Sequence, residues 1–157
     1  MTYEEAIAMY KENFLEVQLS HVNLFPGVKN ILERLHKLNV ELKIVTNRDS
    51  GIAIQILEYL RISHFFSQVL GSDQGLPKPS TELVLKALNG RESHPAAAIF
   101  LGDSNYDIEA ANASKIPILV FRGQLNPPRV NLLNVLGTFH HWNELESLFL
   151  TQTDIVK

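Results

Sequence analysis

The sequence contains no cysteine, which excludes disulfides, thiolate metal sites and thiol catalysis and is compatible with a reducing cytoplasm. A basic excess is also lacking. The 14 Lys and Arg against 17 Asp and Glu leave a formal net charge of -3, and the cations are scattered, so no stripe is available to grip a phosphate backbone. Nucleic acid is therefore not an expected partner. Apolar runs such as "IPILVF" are far too short to span a bilayer, and the opening "MTYEEAIAMY" is acidic where a secretory signal would be basic. A cytoplasmic location with no membrane contact is expected. Linkers, internal repeats and low-complexity tracts are missing as well, and so is any aspartate before Asp49.

What is present is ordinary for a globular fold. The 157 residues, 45% hydrophobic and 20% charged, suffice for one well-cored domain and are few for two, so residues 1–157 are read as a single unit. Tyr3, Ile7, Tyr10, Phe14 and Val17 recur at helical spacing and predict an amphipathic helix that needs a surface to cover. "LFPG" ends it, and "VKNILERLHKL" predicts a second helix with Val28, Ile31, Leu32, Leu35 and Leu38 on one face.

Short continuous apolar runs then alternate with helical patterns. "VELKIVTN", "SQVLGSD", "AAAIFLGDS" and "IPILVFRG" read as buried strands; "SGIAIQILEYL", "TELVLKALNG" and "NYDIEAANAS" read as helices. "PRVNLLNVL" and "NELESLFL" are further predicted helices, with "GTFHHW" an edge strand between them. This alternation predicts an α/β fold, a doubly wound parallel sheet with helices on both faces.

Ligands of such sheets bind beyond the carboxyl ends of the strands. The residues there are Thr46, Asn47 and Asp49, then Asp73 and Lys78, then Asp103, Ser104 and Asp107. A hydroxyl, an ammonium and two carboxylates at one rim suit a divalent cation and a phosphoryl group. Mg²⁺ takes one or two carboxylates, a lysine neutralises phosphoryl oxygens and a threonine donates to one of them. Each residue also has a purely structural reading. Ser104 and Asp107 form a capping-box pattern, Asp49 and Ser50 suit helix caps, and Asp73 suits a turn. Lys78 could be a solvated loop residue beside Pro79 and Ser80, and Thr46 a β-branched strand residue. Asp103, directly after "AIFLG", is harder to explain structurally, because an unpaired charge at the end of a buried strand is costly. The six histidines show no ligand spacing.

"KIVTN", "LPKPSTELVLKAL" and "FLGDSNYDIEAANAS" together resemble the second, third and fourth motifs of the haloacid dehalogenase-like hydrolases, in the phosphoglycolate-phosphatase-like branch. The likeness runs from about Tyr10 to the last strand. It implies a Rossmann-like core that hydrolyses phosphomonoesters of small molecules with Mg²⁺ through an aspartyl-phosphate. By the same resemblance Thr46 and Asn47 sit at the phosphoryl-binding motif, Lys78 steadies the phosphoryl group, and Asp103 and Asp107 serve the metal. Residues 1–20 look like the last helix of a helical cap, and 24–150 like the core. Thr81 stands where the family often has a second proline.

The larger departure is at the front, where the family has a strand ending in Asp-x-Asp. Here the nucleophile and the usual central first strand are absent. The resemblance therefore implies a chain inactive or nearly so by itself, or else a non-catalytic binding or regulatory descendant. It also implies a gap in the sheet, to be closed by direct pairing of the flanking strands, by a second copy or complementing N-terminal chain, or by the tail "TQTDIVK". A receiver domain of the response-regulator type shares the strand-end Asp, Thr and Lys, but would need its acids early in the chain.

Overall fold

The computed structural model describes residues 1–89, 98–123 and 135–147, with the side chains of residues 7, 10–16 and 18 excepted. The tail 151–157 lies outside the described residues, as do residues 128–134 and 148–150 of the last two predicted helices.

Helix α1 spans Tyr3–His21 and opens on a capping box between Thr2 and Glu5. Tyr3 and Val17 are exposed, so the predicted apolar stripe is not covered at those two positions. Helix α2, Val28–Lys37, begins after Gly27, whose φ of 89° suits a residue without a Cβ. It buries Ile31, Leu32 and Leu35, whereas Leu38, predicted on the same face, is the exposed C-cap residue.

The strands are shorter than the apolar runs that announce them. Strand β1 covers only Lys43–Val45 of "VELKIVTN". Asn39 adopts a left-handed φ of 55° and the Val40 N–H donates to the Leu35 carbonyl, so the start of that run closes α2. The same device recurs later: Lys115 has a φ of 57° and Ile116 N–H bonds the Ala111 carbonyl. Strand β4, Ile118–Phe121, therefore starts after Pro117 and not at Ile116.

Between these lie helix α3 (Ser50–Tyr59), a 3₁₀ turn (Ser63–Phe65), strand β2 (Gln68–Leu70), helix α4 (Glu82–Leu88), strand β3 (Phe100–Gly102) and helix α5 (Asn105–Ala113). Strand β5, Val135–Phe139, follows β4. It corrects the predicted helix "PRVNLLNVL": Val135 and Leu136 belong to β5, because pairing with β4 outweighs the ambiguous local pattern.

All described pairings are parallel, in two sets: β1 with β2, and β3-β4-β5 in that order. β5 is an edge strand, as "GTFHHW" suggested. In β4 the side chains alternate between faces. Leu119 and Phe121 pack with Ile31, Leu35, Phe139 and Leu145, while Ile118 and Val120 pack with Ile108 and Ala111 of α5. α2 thus covers one face and α5 the other, a doubly wound α/β layer. Phe121 stacks between Phe139 and Trp142 at centroid distances of 5.3 and 5.4 Å. Direct pairing of β1 with β3 does not occur; the described sheet remains in two pieces.

Candidate active site at the strand ends

Lys78 organises the rim. Its backbone N–H donates to Asn47 Oδ1 at 2.7 Å, and Asn47 Nδ2 donates back to the Lys78 carbonyl at 2.8 Å. This reciprocal pair pins the loop after β2 to the turn after β1. With its backbone held, the lysine side chain turns inward to 11% exposure. Its Nζ donates to the Val45 carbonyl at 2.8 Å and to Asp107 Oδ1 at 2.5 Å, and lies 5.7 Å from the centre of the Phe100 ring. The carboxyl end of β1 and the start of α5, just beyond β3, therefore meet at one ammonium.

Asp107 is 3% exposed and fully engaged. Its Oδ2 accepts from Asp103 N–H at 3.1 Å, Ser104 N–H at 3.0 Å and the Ser104 hydroxyl at 2.6 Å. Ser104 Oγ in turn accepts from Asp107 N–H, completing the capping box that the spacing suggested. Gly102 permits this turn by close approach, since a Cβ there would lie 2.4 Å from Asp107 Cβ. Burial pushes the Asp107 carboxyl up, but the Lys78 charge and hydrogen bond, with Ser104, hold it below the usual carboxylate range. Asp103 moves the other way: burial, then the negative charge of Asp107, push it up.

Thr46 directly follows the Val45 carbonyl that Lys78 binds, and its Oγ1 accepts from Arg48 N–H at 3.1 Å. Two other sequence candidates serve structure. Asp49 caps α3 by accepting from Gly51 and Ile52 N–H. Asp73 accepts from both the Ser50 N–H and hydroxyl, which hold its carboxyl low. Thr46, Asn47, Lys78, Asp103 and Asp107 are thus brought to one rim, with Asp49 and Asp73 directed to the α3 cap. Sequence reasoning missed the Val45 carbonyl and the Phe100 ring, because neither a backbone acceptor nor a core aromatic has a motif of its own.

The donor set bears on a metal. Among the described residues no group of three His, Cys, Asp or Glu gathers as a cage. Mg²⁺ is commonly held by one or two carboxylates with water and substrate oxygens, so the rim fits it as an open, partial site. Since both Asp107 oxygens are occupied by Lys78 and the Asp103–Ser104 turn, Asp103 is the better placed ligand.

A parallel α/β layer with a lysine–carboxylate centre at its strand ends defines a class of phosphoryl-handling domains. A model of the family "Haloacid dehalogenase-like hydrolase" matches residues 1–121, and the chain belongs to that family. A phosphoglycolate phosphatase of Aliivibrio fischeri is 39% identical over 98 residues, covering 62% of this chain and 42% of the relative. One from Salmonella paratyphi A is 34% identical over 149 residues, covering 94% of this chain and 52% of the relative. A solved haloacid dehalogenase-superfamily hydrolase, subfamily IA, from Geobacter sulfurreducens superposes with a TM-score of 0.72 at 26% identity, covering 93% of this chain and 71% of that one. The chain spans about half the length of the curated relatives it matches. Among the described residues no helix is long and apolar enough to cross a membrane.

Proposed function

We propose that this chain carries the phosphoryl- and metal-binding portion of a Mg²⁺-dependent phosphomonoester phosphatase of the phosphoglycolate-phosphatase type, acting on a small phosphorylated molecule in the cytoplasm. The observation that carries the reading is the buried Lys78–Asp107 pair, tied to the ends of β1 and β3. In this reading Thr46 and Asn47 orient a phosphoryl group, Lys78 offsets its charge and Asp103 supplies the metal carboxylate. Asp107 keeps Lys78 and the Asp103 turn in place. The cation, when bound, would neutralise phosphoryl oxygens.

No aspartate precedes Asp49, so the chain has none to serve as nucleophile on a strand before β1. Loss of such a group from a covalent mechanism costs on the order of 10⁴-fold or more, and the chain by itself should be inactive or nearly so. A second reading, a non-catalytic binding or regulatory protein, gains from the self-sufficiency of the rim: Lys78 and Asp107 satisfy each other without a ligand.

Hydrolysis of p-nitrophenyl phosphate by the purified chain, with and without Mg²⁺, tests the first reading. No turnover above background is expected, and Mg²⁺-dependent turnover abolished by Asp103→Asn would overturn the inactivity. Calorimetric titration with Mg²⁺ separates the two readings further, since no heat at millimolar metal would favour the non-catalytic one.

A further inference from the structure

The larger cavity of the molecule, about 670 Å³, lies inside the sheet, beside the rim. It runs between β1 and β3, the two strands whose facing edges have no strand partner among the described residues. Ile31, Leu35 and Trp142 line it from one layer of helices, and Val84, Leu88 and Ile116 from the other layer. Glu41 and Lys43 are the only charged residues in its lining. β1 and β3 run the same way along it, because Lys78 Nζ bonds the last carbonyl of β1 and the carboxylate that holds the turn after β3.

These features select an occupant. A side chain or small apolar molecule could fill the volume, but only extended backbone can also pair with both edges. A strand buried on both faces must be apolar on both, and strands flanked by parallel neighbours read this way. The solved relative superposed on 93% of this chain has further chain beyond the match, which covers only 71% of it. We infer that the cleft between β1 and β3 is a docking slot for an extended segment of a separate polypeptide, apolar on both faces, parallel to β1 and β3, with Asp-x-Asp at its carboxyl end. The slot follows from its walls and edges; the two aspartates rest on the phosphatase reading, because the segment would end beside Lys78 and Asp103.

Trp142, the one tryptophan in the chain, lines the slot and reports on it. The probe is a synthetic peptide of about ten residues, a lysine head followed by about five Val and Ile residues, enough for one strand, and Asp-x-Asp. Added to the full chain, it should shift Trp142 emission saturably. A copy N-methylated at alternate backbone amides should bind about tenfold more weakly or not at all, because its ladder hydrogen bonds are gone. Ile99→Arg, at an exposed position on the slot wall, should weaken the unmodified peptide while leaving the circular dichroism of the chain unchanged.

No shift, or a shift indifferent to N-methylation, would overturn the proposal. A chain that sediments as a dimer and stays dimeric at saturating peptide would also overturn it, by assigning the slot to a second copy. Binding without Mg²⁺-dependent hydrolysis of p-nitrophenyl phosphate would retain the docking slot and reject the phosphatase reading, so the two failures are distinguishable.

Discussion

Lys78 spans two strand ends whose strands do not pair with each other, and the physical condition for its doing so is a matched charge. Asp107 supplies that charge from the first turn of α5, already held by three donors of its own turn. Removing the ammonium while keeping the stem, as in Lys78→Met, leaves a buried carboxylate without its cation. The expected loss in metal-free buffer at neutral pH is about 3 to 5 kcal/mol by urea denaturation. The sign with pH follows from the direction of the shift. In the parent the folded carboxyl lies below its unfolded value, so its contribution is fully present above about pH 4 and is lost as pH falls through the folded value. In the variant burial is opposed only by Ser104 and backbone donors, the carboxyl moves upward, and the deficit against the parent should shrink as pH is lowered toward 4. A deficit that does not vary with pH would show that the pair contributes no charge effect. The sequence exposed both residues by their place after strands; that each is the other's partner was not legible, because twenty-nine positions separate them.

At the level of elements, the helix starts were the most legible feature and the strand limits the least. Caps are local, acting over three residues, so Thr2, Asp49 and Ser104 announce α1, α3 and α5 in the sequence itself. Strand limits depend on neighbours: Val40 and Ile116 are as apolar as the residues after them, yet their N–H groups close helices. Asp49→Ala removes acceptors for Gly51 and Ile52 and should cost about 1 kcal/mol in thermal or chemical denaturation. The neighbouring Asp73 bonds to Ser50 should persist, so a loss several times larger would mean that Asp49 also braces the loop after β1.

For the molecule as a whole, the division of the sheet sets where it is stable. β4 is paired on both sides and all four of its residues are buried, whereas β1 and β3 each have one described strand neighbour. Amide exchange should accordingly be slowest in β4, approaching the global unfolding limit, and faster in β1 and β3 at amides facing the slot. Equal protection across all three strands would mean that the slot is filled. The strand peptide should slow β1 and β3 and leave β4 little changed.

The sequence by itself determined the α/β class, the helix caps, the family and the short roll of strand-end residues, since periodicity, capping chemistry and ordered motifs are properties of neighbours along the chain. It also showed that no aspartate stands before Asp49. Only the tertiary structure decided that Asp107 is taken up by Lys78 and Ser104, that Asp73 serves Ser50, that Val135 and Leu136 form strand, and that β1 and β3 stay apart around an apolar cleft. Each of these depends on which distant groups satisfy a buried charge or a backbone edge, and burial is settled only when the whole chain has packed.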